Sequence, residues 1–97
     1  MSLRILTSAT EDLHRGRLFY EHQGEGLGVY FLDSLFSDID SLALYAGIHS
    51  KVFGFYRLLS KRFPYAVYYQ INDNHDVVVW RVLDLRQNPG MIQKALK

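Results

Sequence analysis

The hydrophobic pattern changes period twice along the chain. Leu3-Arg-Ile-Leu6 is a short aliphatic run that predicts an edge strand. From Ala9 onward the apolar positions Ala9, Leu13, Gly16 and Tyr20 recur at helical spacing, with Phe19 widening the face, so a helix ending near Gln23 is expected. Ser8-Ala-Thr-Glu11 reads as the capping box that starts it, and Glu11 with Arg15 as an i,i+4 pair on its outer side. A second stripe, Leu27, Phe31, Leu35, Ile39 and Leu42, broadened by Phe36 and Ala43, predicts a helix over residues 27–45, with Gly47 as its stop. Between the two helices lies Gly24-Glu-Gly-Leu-Gly28. Its spacing is neither a dinucleotide fingerprint nor a P-loop, and it follows a helix, so it reads as the connection of a helical hairpin.

Beyond Ser50 the period shortens to two. Residues 52–59, 65–71 and 77–85 are rich in β-branched and aromatic side chains, and their short connections predict an antiparallel meander. Strict alternation puts Val77, Val79, Arg81, Leu83 and Leu85 on one face of the last strand and Val78, Trp80, Val82, Asp84 and Arg86 on the other. Residues 90–97 read as a short amphipathic turn or helix. The order β-α-α-β-β-β makes this an α+β chain, and its length fits a single domain over residues 1–97.

Composition narrows the chemistry. With no cysteine, disulfides, thiolate zinc sites and a cysteine nucleophile are excluded. His14, His22, His49 and His75 are scattered without ligand spacing, so neither a metal nor a cofactor is expected. The N-terminal apolar run is too short for a signal peptide, and no stretch approaches the ~20 apolar residues of a membrane span, so a cytoplasmic protein without membrane contact is expected. The net charge of +1 conceals a division. Residues 1–50 hold three Lys or Arg against seven Asp or Glu, and residues 51–97 hold eight against three, giving −4 and +5. A basic sheet half announces an anionic partner, and Arg57, Lys61, Arg62, Arg81 and Arg86 are the candidates to meet a target or a nucleic acid. Arg81 in mid-strand reads either as lying along an exposed face or as pairing in the neighbourhood of Asp84. The seven tyrosines and six phenylalanines read either as core or as a stacking platform for single-stranded nucleic acid.

The strings Gly26-Leu-Gly-Val-Tyr-Phe31, Lys61-Arg-Phe-Pro-Tyr-Ala-Val-Tyr-Tyr69 and Val82-Leu-Asp-Leu-Arg-Gln-Asn-Pro89, in this element order, resemble the RelE/ParE superfamily of toxins from bacterial toxin–antitoxin modules. The resemblance covers nearly the whole chain. It implies two antiparallel helices packed on a twisted antiparallel sheet, and a cognate antitoxin that adds a helix or strand to the hairpin or to the open sheet edge. Leu13, Tyr20, Phe31, Tyr65 and Tyr69 are the residues expected to receive it.

The superfamily divides by chemistry. Its RelE-like branch cleaves mRNA on the ribosome with basic residues on the sheet and an acid–base residue near the C-terminus. Against that pattern Arg57 matches one basic position and Arg86 falls near a late one, but Leu59 and Ala66 stand where others are expected. No histidine follows His75 and no tyrosine follows Tyr69. Proton transfer and charge stabilisation each contribute orders of magnitude in rate, so a nuclease limited to Arg57 and Arg86 would be poorly equipped. The resemblance is closer to the ParE-like branch, which poisons DNA gyrase by binding. It implies a growth inhibitor whose target is gyrase, or the ribosome in the nuclease alternative. A degenerate, non-toxic partner-binding member is a third possibility, and the assembly is a homodimer or a toxin–antitoxin hetero-oligomer.

Overall fold

A computed structural model describes residues 2–97, and in it each change of period becomes a change of layer. Strand β1 (Leu3–Ile5) leads into α1 (Thr7–Gln23), α2 (Leu27–Asp40) and the single turn α3 (Leu42–Tyr45). Strands β2 (Lys51–Val52), β3 (Phe55–Leu59), β4 (Tyr65–Ile71) and β5 (Val77–Asp84) follow, and α4 (Pro89–Ala95) comes last. The sheet order is β1-β5-β4-β3-β2. Strands β2 to β5 form the expected antiparallel meander, while β1, an edge strand as expected, runs parallel to β5 with Leu3 opposite Val77, so the α+β sheet is mixed.

Small residues let the two long helices approach. A Cβ on Gly16 would stand 2.5 Å from the Phe31 ring, and one on Gly28 2.8 Å from the Arg17 carbonyl oxygen. Phe31 therefore sits against α1 and joins Ala9, Leu13, Leu35, Ile39 and Leu42 over Tyr65, Val67, Tyr69, Val77, Val79 and Val82 of the sheet. Each such large side chain contributes about 1.5–3 kcal/mol by leaving water. On the opposite face a smaller core forms where Ile92 and Leu96 cover Phe55, Ala66, Tyr68 and Leu83. Helix α4 begins with Pro89 in its first turn and the Asn88 side chain accepting the Gly90 N–H at 2.7 Å.

The hairpin connection is as expected, and Glu21 explains its stability: its carboxylate accepts the Gly26 and Gly28 N–H groups, which holds it below the usual carboxylate range.

Several local expectations are corrected. The capping box does not form: α1 starts at Thr7 with no side-chain cap, and the Ser8 hydroxyl instead donates to the Trp80 carbonyl at 2.9 Å. Residues 27–45 are not one helix, because at Ser41 the hydroxyl bonds back to the Asp38 carbonyl at 2.6 Å and α2 gives way to α3. Phe36 and Ala43 face solvent, so the buried stripe is narrower than the sequence suggests. Residues 52–59 are interrupted by a two-residue hairpin in which Phe53 and Gly54 both have positive φ, 55° and 84°. In β5, Tyr68 faces Arg81 but Tyr69 faces Val79, so Trp80 is an extra, bulged residue. The bulge resets the alternation: Val77, Val79 and Val82 share the helix side, and Leu83 turns to the other.

Helix α1 completes the edge of β5. Pairing with β1 ends where Leu6 N–H donates to the Val79 carbonyl at 3.0 Å. Beyond that point the Ser8 hydroxyl takes the Trp80 carbonyl, and an Asp12 carboxylate oxygen accepts the Val82 N–H at 3.0 Å. Backbone groups left by the short first strand are thus satisfied by side chains of the next element.

Candidate functional site

Lys61, Arg62 and Arg86 gather at one end of the sheet, where the β3–β4 turn meets the end of β5 beside α1. Phe63 anchors that turn, with its ring 4.8 Å from Tyr20, 5.1 Å from Phe31 and 5.5 Å from Tyr30, centroid to centroid. The Leu85 N–H donates to the Pro64 carbonyl at 2.8 Å, fixing the turn against β5. Lys61 and Arg62 are exposed on this anchored corner. Arg86 is exposed too, but its guanidinium is occupied. It donates to both carboxylate oxygens of Asp84, at 2.7 Å from Nη2 and 3.0 Å from Nε, lies 5.6 Å over the Phe19 ring, and reaches the Tyr20 hydroxyl at 3.4 Å. The pair shifts both members toward their charged forms: the hydrogen bonds to Arg86 lower Asp84, and those to Asp84 raise Arg86. Tyr65, beneath them, is pushed up to about 12 by burial, with the Asp84 charge adding to it, so its phenol stays protonated at neutral pH and is no base.

A cleft of about 300 Å³ opens between α1 and the end of β5, with Asp12, Arg15, Phe19, Arg81, Asp84 and Gln87 among its lining residues. At its base the buried Asp12 carboxylate accepts four hydrogen bonds: Arg15 Nη2 at 2.7 Å, Arg81 Nη2 at 2.8 Å, Arg81 Nε at 2.7 Å and the Val82 N–H at 3.0 Å. Arg81 also donates to the Ala95 carbonyl at 3.1 Å, so one side chain joins α1, β5 and α4. Its partner is therefore Asp12, distant in sequence, and not the Asp84 neighbourhood or an open face. Arg15 likewise pairs with Asp12 in place of Glu11. Asp12 is the residue that sequence reasoning overlooked, and Asp84, read from the sequence as a neighbour of Arg81, pairs with Arg86. The spacing of Asp84 two before Arg86 was a legible signal; nothing local marked Asp12.

The other candidates do not converge here. Arg57 lies directly across from Tyr68, whose ring belongs to the core under α4, whereas Arg86 reaches α1; the two arginines stand on opposite sides of the sheet. Leu13, Phe31, Tyr65 and Tyr69 are 2%, 0%, 7% and 0% exposed, so the partner surface expected of them is corrected to core: their apolar area is already used between helices and sheet. Tyr20 is half-buried at the rim. The apolar surface actually offered includes Leu18, Phe19, Leu27, Val29 and Tyr30 on the hairpin, and Ile48 and Leu59 beside a groove along β3. Val29 and Tyr30 fall off the buried stripe of α2, which is the sequence signal that could have found them. Because β2 is only two residues long and the Arg57 N–H is taken by the Ser50 carbonyl, β3 presents an open edge near Leu59. Among the described residues no three His, Cys, Asp or Glu side chains lie together as metal ligands would, and no helix is long and apolar enough to cross a membrane.

A family model for the ParE toxin of the type II toxin–antitoxin system, parDE, matches residues 3–89. Among solved structures, the chain is similar to one from the chromosomal ParDE TA system of P. aeruginosa, with a TM-score of 0.79 at 20% identity over 89% of this chain and 97% of that one. At that identity the likeness establishes the fold. No curated protein matches the chain significantly.

Proposed function

The chain belongs to the ParE toxin family of type II toxin–antitoxin systems, and on that premise we propose that it inhibits growth in the cytoplasm by binding a target such as DNA gyrase, and that a cognate antitoxin neutralises it. The observation that carries a binding mode over catalysis is the separation of Arg57 from Arg86 by the sheet, with Arg86 neutralised by Asp84. RNA cleavage requires its cations and its proton-transfer groups around one phosphate. A binding poison requires a surface. The anchored corner of Lys61 and Arg62 suits an acidic partner, and the exposed apolar residues of the hairpin and the open edge of β3 suit an antitoxin helix and strand.

The test is pulse-labelled incorporation into DNA and protein after inducing this chain without its antitoxin. DNA synthesis is expected to fall first, with supercoiling by purified gyrase inhibited. Translation falling first, with cleaved mRNA, would establish the ribosome-dependent nuclease instead. Unchanged labelling of both would leave a partner-binding member without toxicity.

A further inference from the structure

The loop of residues 46–50, between α3 and β2, is fastened to the sheet through the hydroxyl of Tyr69. Tyr69 is fully buried and stacks on Tyr56 at 5.1 Å between ring centroids. Its oxygen accepts the Gly47 N–H at 2.9 Å and is hydrogen-bonded to Nδ1 of His49. Gly47 holds φ 95°, a backbone shape that side-chain-bearing residues rarely adopt, so the loop is built to present this N–H to the phenol. A phenol has one proton to give. With Gly47 donating to the oxygen, that proton goes to the Nδ1 lone pair of a neutral imidazole.

We infer that His49 and Tyr69 form a proton-operated latch, in which neutral imidazole accepts the Tyr69 hydroxyl proton and holds the loop, and protonation of the ring releases it. An imidazolium has no lone pair at Nδ1, so two donors would then converge on the phenol oxygen and its own proton would lose its acceptor in a buried position. The groove beside His49 offers an imidazolium no counterion. Arg57 from β3 lines the same groove as His49, Lys51 from β2 sits 4.9 Å over the Tyr56 ring, and the groove, lined by Ile48, His49, Ser50, Arg57, Leu58 and Leu59, contains no carboxylate to favour the cation. Burial holds His49 below the ordinary imidazole range. The closed loop accordingly binds fewer protons than the released one, so the latch is shut at neutral pH and above and opens as the pH falls. Ile48 is the apolar wall that moves with the loop, facing Leu59 across a groove of about 400 Å³.

An NMR titration of the full chain reads this directly. The His49 ring resonances are expected to titrate below the ordinary imidazole range, and the protection factor of the Gly47 amide to fall by up to about tenfold per pH unit as the pH drops from that range toward the His49 midpoint, levelling off below it. In His49→Asn, whose side-chain oxygen replaces the acceptor and does not titrate, Gly47 protection is expected to stay constant over the same range. His49 titrating within the ordinary imidazole range, or wild-type Gly47 protection independent of pH, would overturn the latch; the wild-type measurement decides even if the variant does not fold. Because no partner is present, the outcome is independent of whether the groove receives an antitoxin segment.

Discussion

Two aspartate–arginine pairs stand at the same end of the molecule and do different things. Asp12 with Arg81 joins residues 69 apart in sequence, with a carboxylate side chain only 4% exposed and every oxygen engaged. Asp84 with Arg86 joins residues two apart, and its guanidinium side chain is 52% exposed. The bonds are of equal length, 2.7 Å, so geometry does not distinguish them. Burial and reach do. A desolvated ion pair whose arginine bridges three elements becomes a condition for folding, because losing either partner strands a charge or an N–H. An exposed local pair hardly affects folding and only sets how much positive charge the surface offers.

Breaking each pair should expose this contrast. The largest effect is expected for Asp12→Ala, which leaves Arg81 without its counterion and the Val82 N–H without an acceptor: a loss of about 3 kcal/mol in urea denaturation, with α4 loosened through Arg81. Replacing the pair together, as Asp12→Leu with Arg81→Met, should recover part of that loss, although the orphaned Val82 N–H limits the recovery; a double variant no more stable than Asp12→Ala would refute the assignment of the cost to stranded charge. Asp84→Ala should cost at most about 1 kcal/mol. Its readout is elsewhere: freed of its partner, Arg86 should make the variant elute later from a heparin column than the parent chain. The smallest effect concerns pH. Asp84 is held below the ordinary carboxylate range by Arg86, so its contribution is present above that range and lost as the pH falls through its folded value. The stability difference between the parent and Asp84→Ala should therefore vanish in acid, and should also shrink in high salt, where an exposed pair is screened.

Periodic features were legible in the sequence because periodicity reports which side is buried. The two helical stripes, the glycine connection and the meander all follow from it. What periodicity misses is interruption. Nothing in Val77-Val-Val-Trp-Arg-Val marks Trp80 as bulged, yet that residue decides which face Val82 and Leu83 take. Phe53 at positive φ defied the usual turn chemistry of asparagine and glycine and hid the break between β2 and β3. The site was less legible than the fold. Leu13, Phe31, Tyr65 and Tyr69 looked like a partner surface because apolar identity alone does not tell a core from an interface. The charged candidates were visible, but their partners, above all Asp12, came from folding and not from spacing.

The completion of β5 by α1 has a consequence for solubility. A row of unpaired strand amides is a template on which another chain can add and start aggregation. On the β1 side that template is cut to three residues, because Ser8 and Asp12 occupy the backbone groups that a longer first strand would have paired. Intermolecular strand growth from folded molecules is thereby steered toward the β3 side, where Lys61 and Arg62 just beyond the strand end act as charged gatekeepers against it.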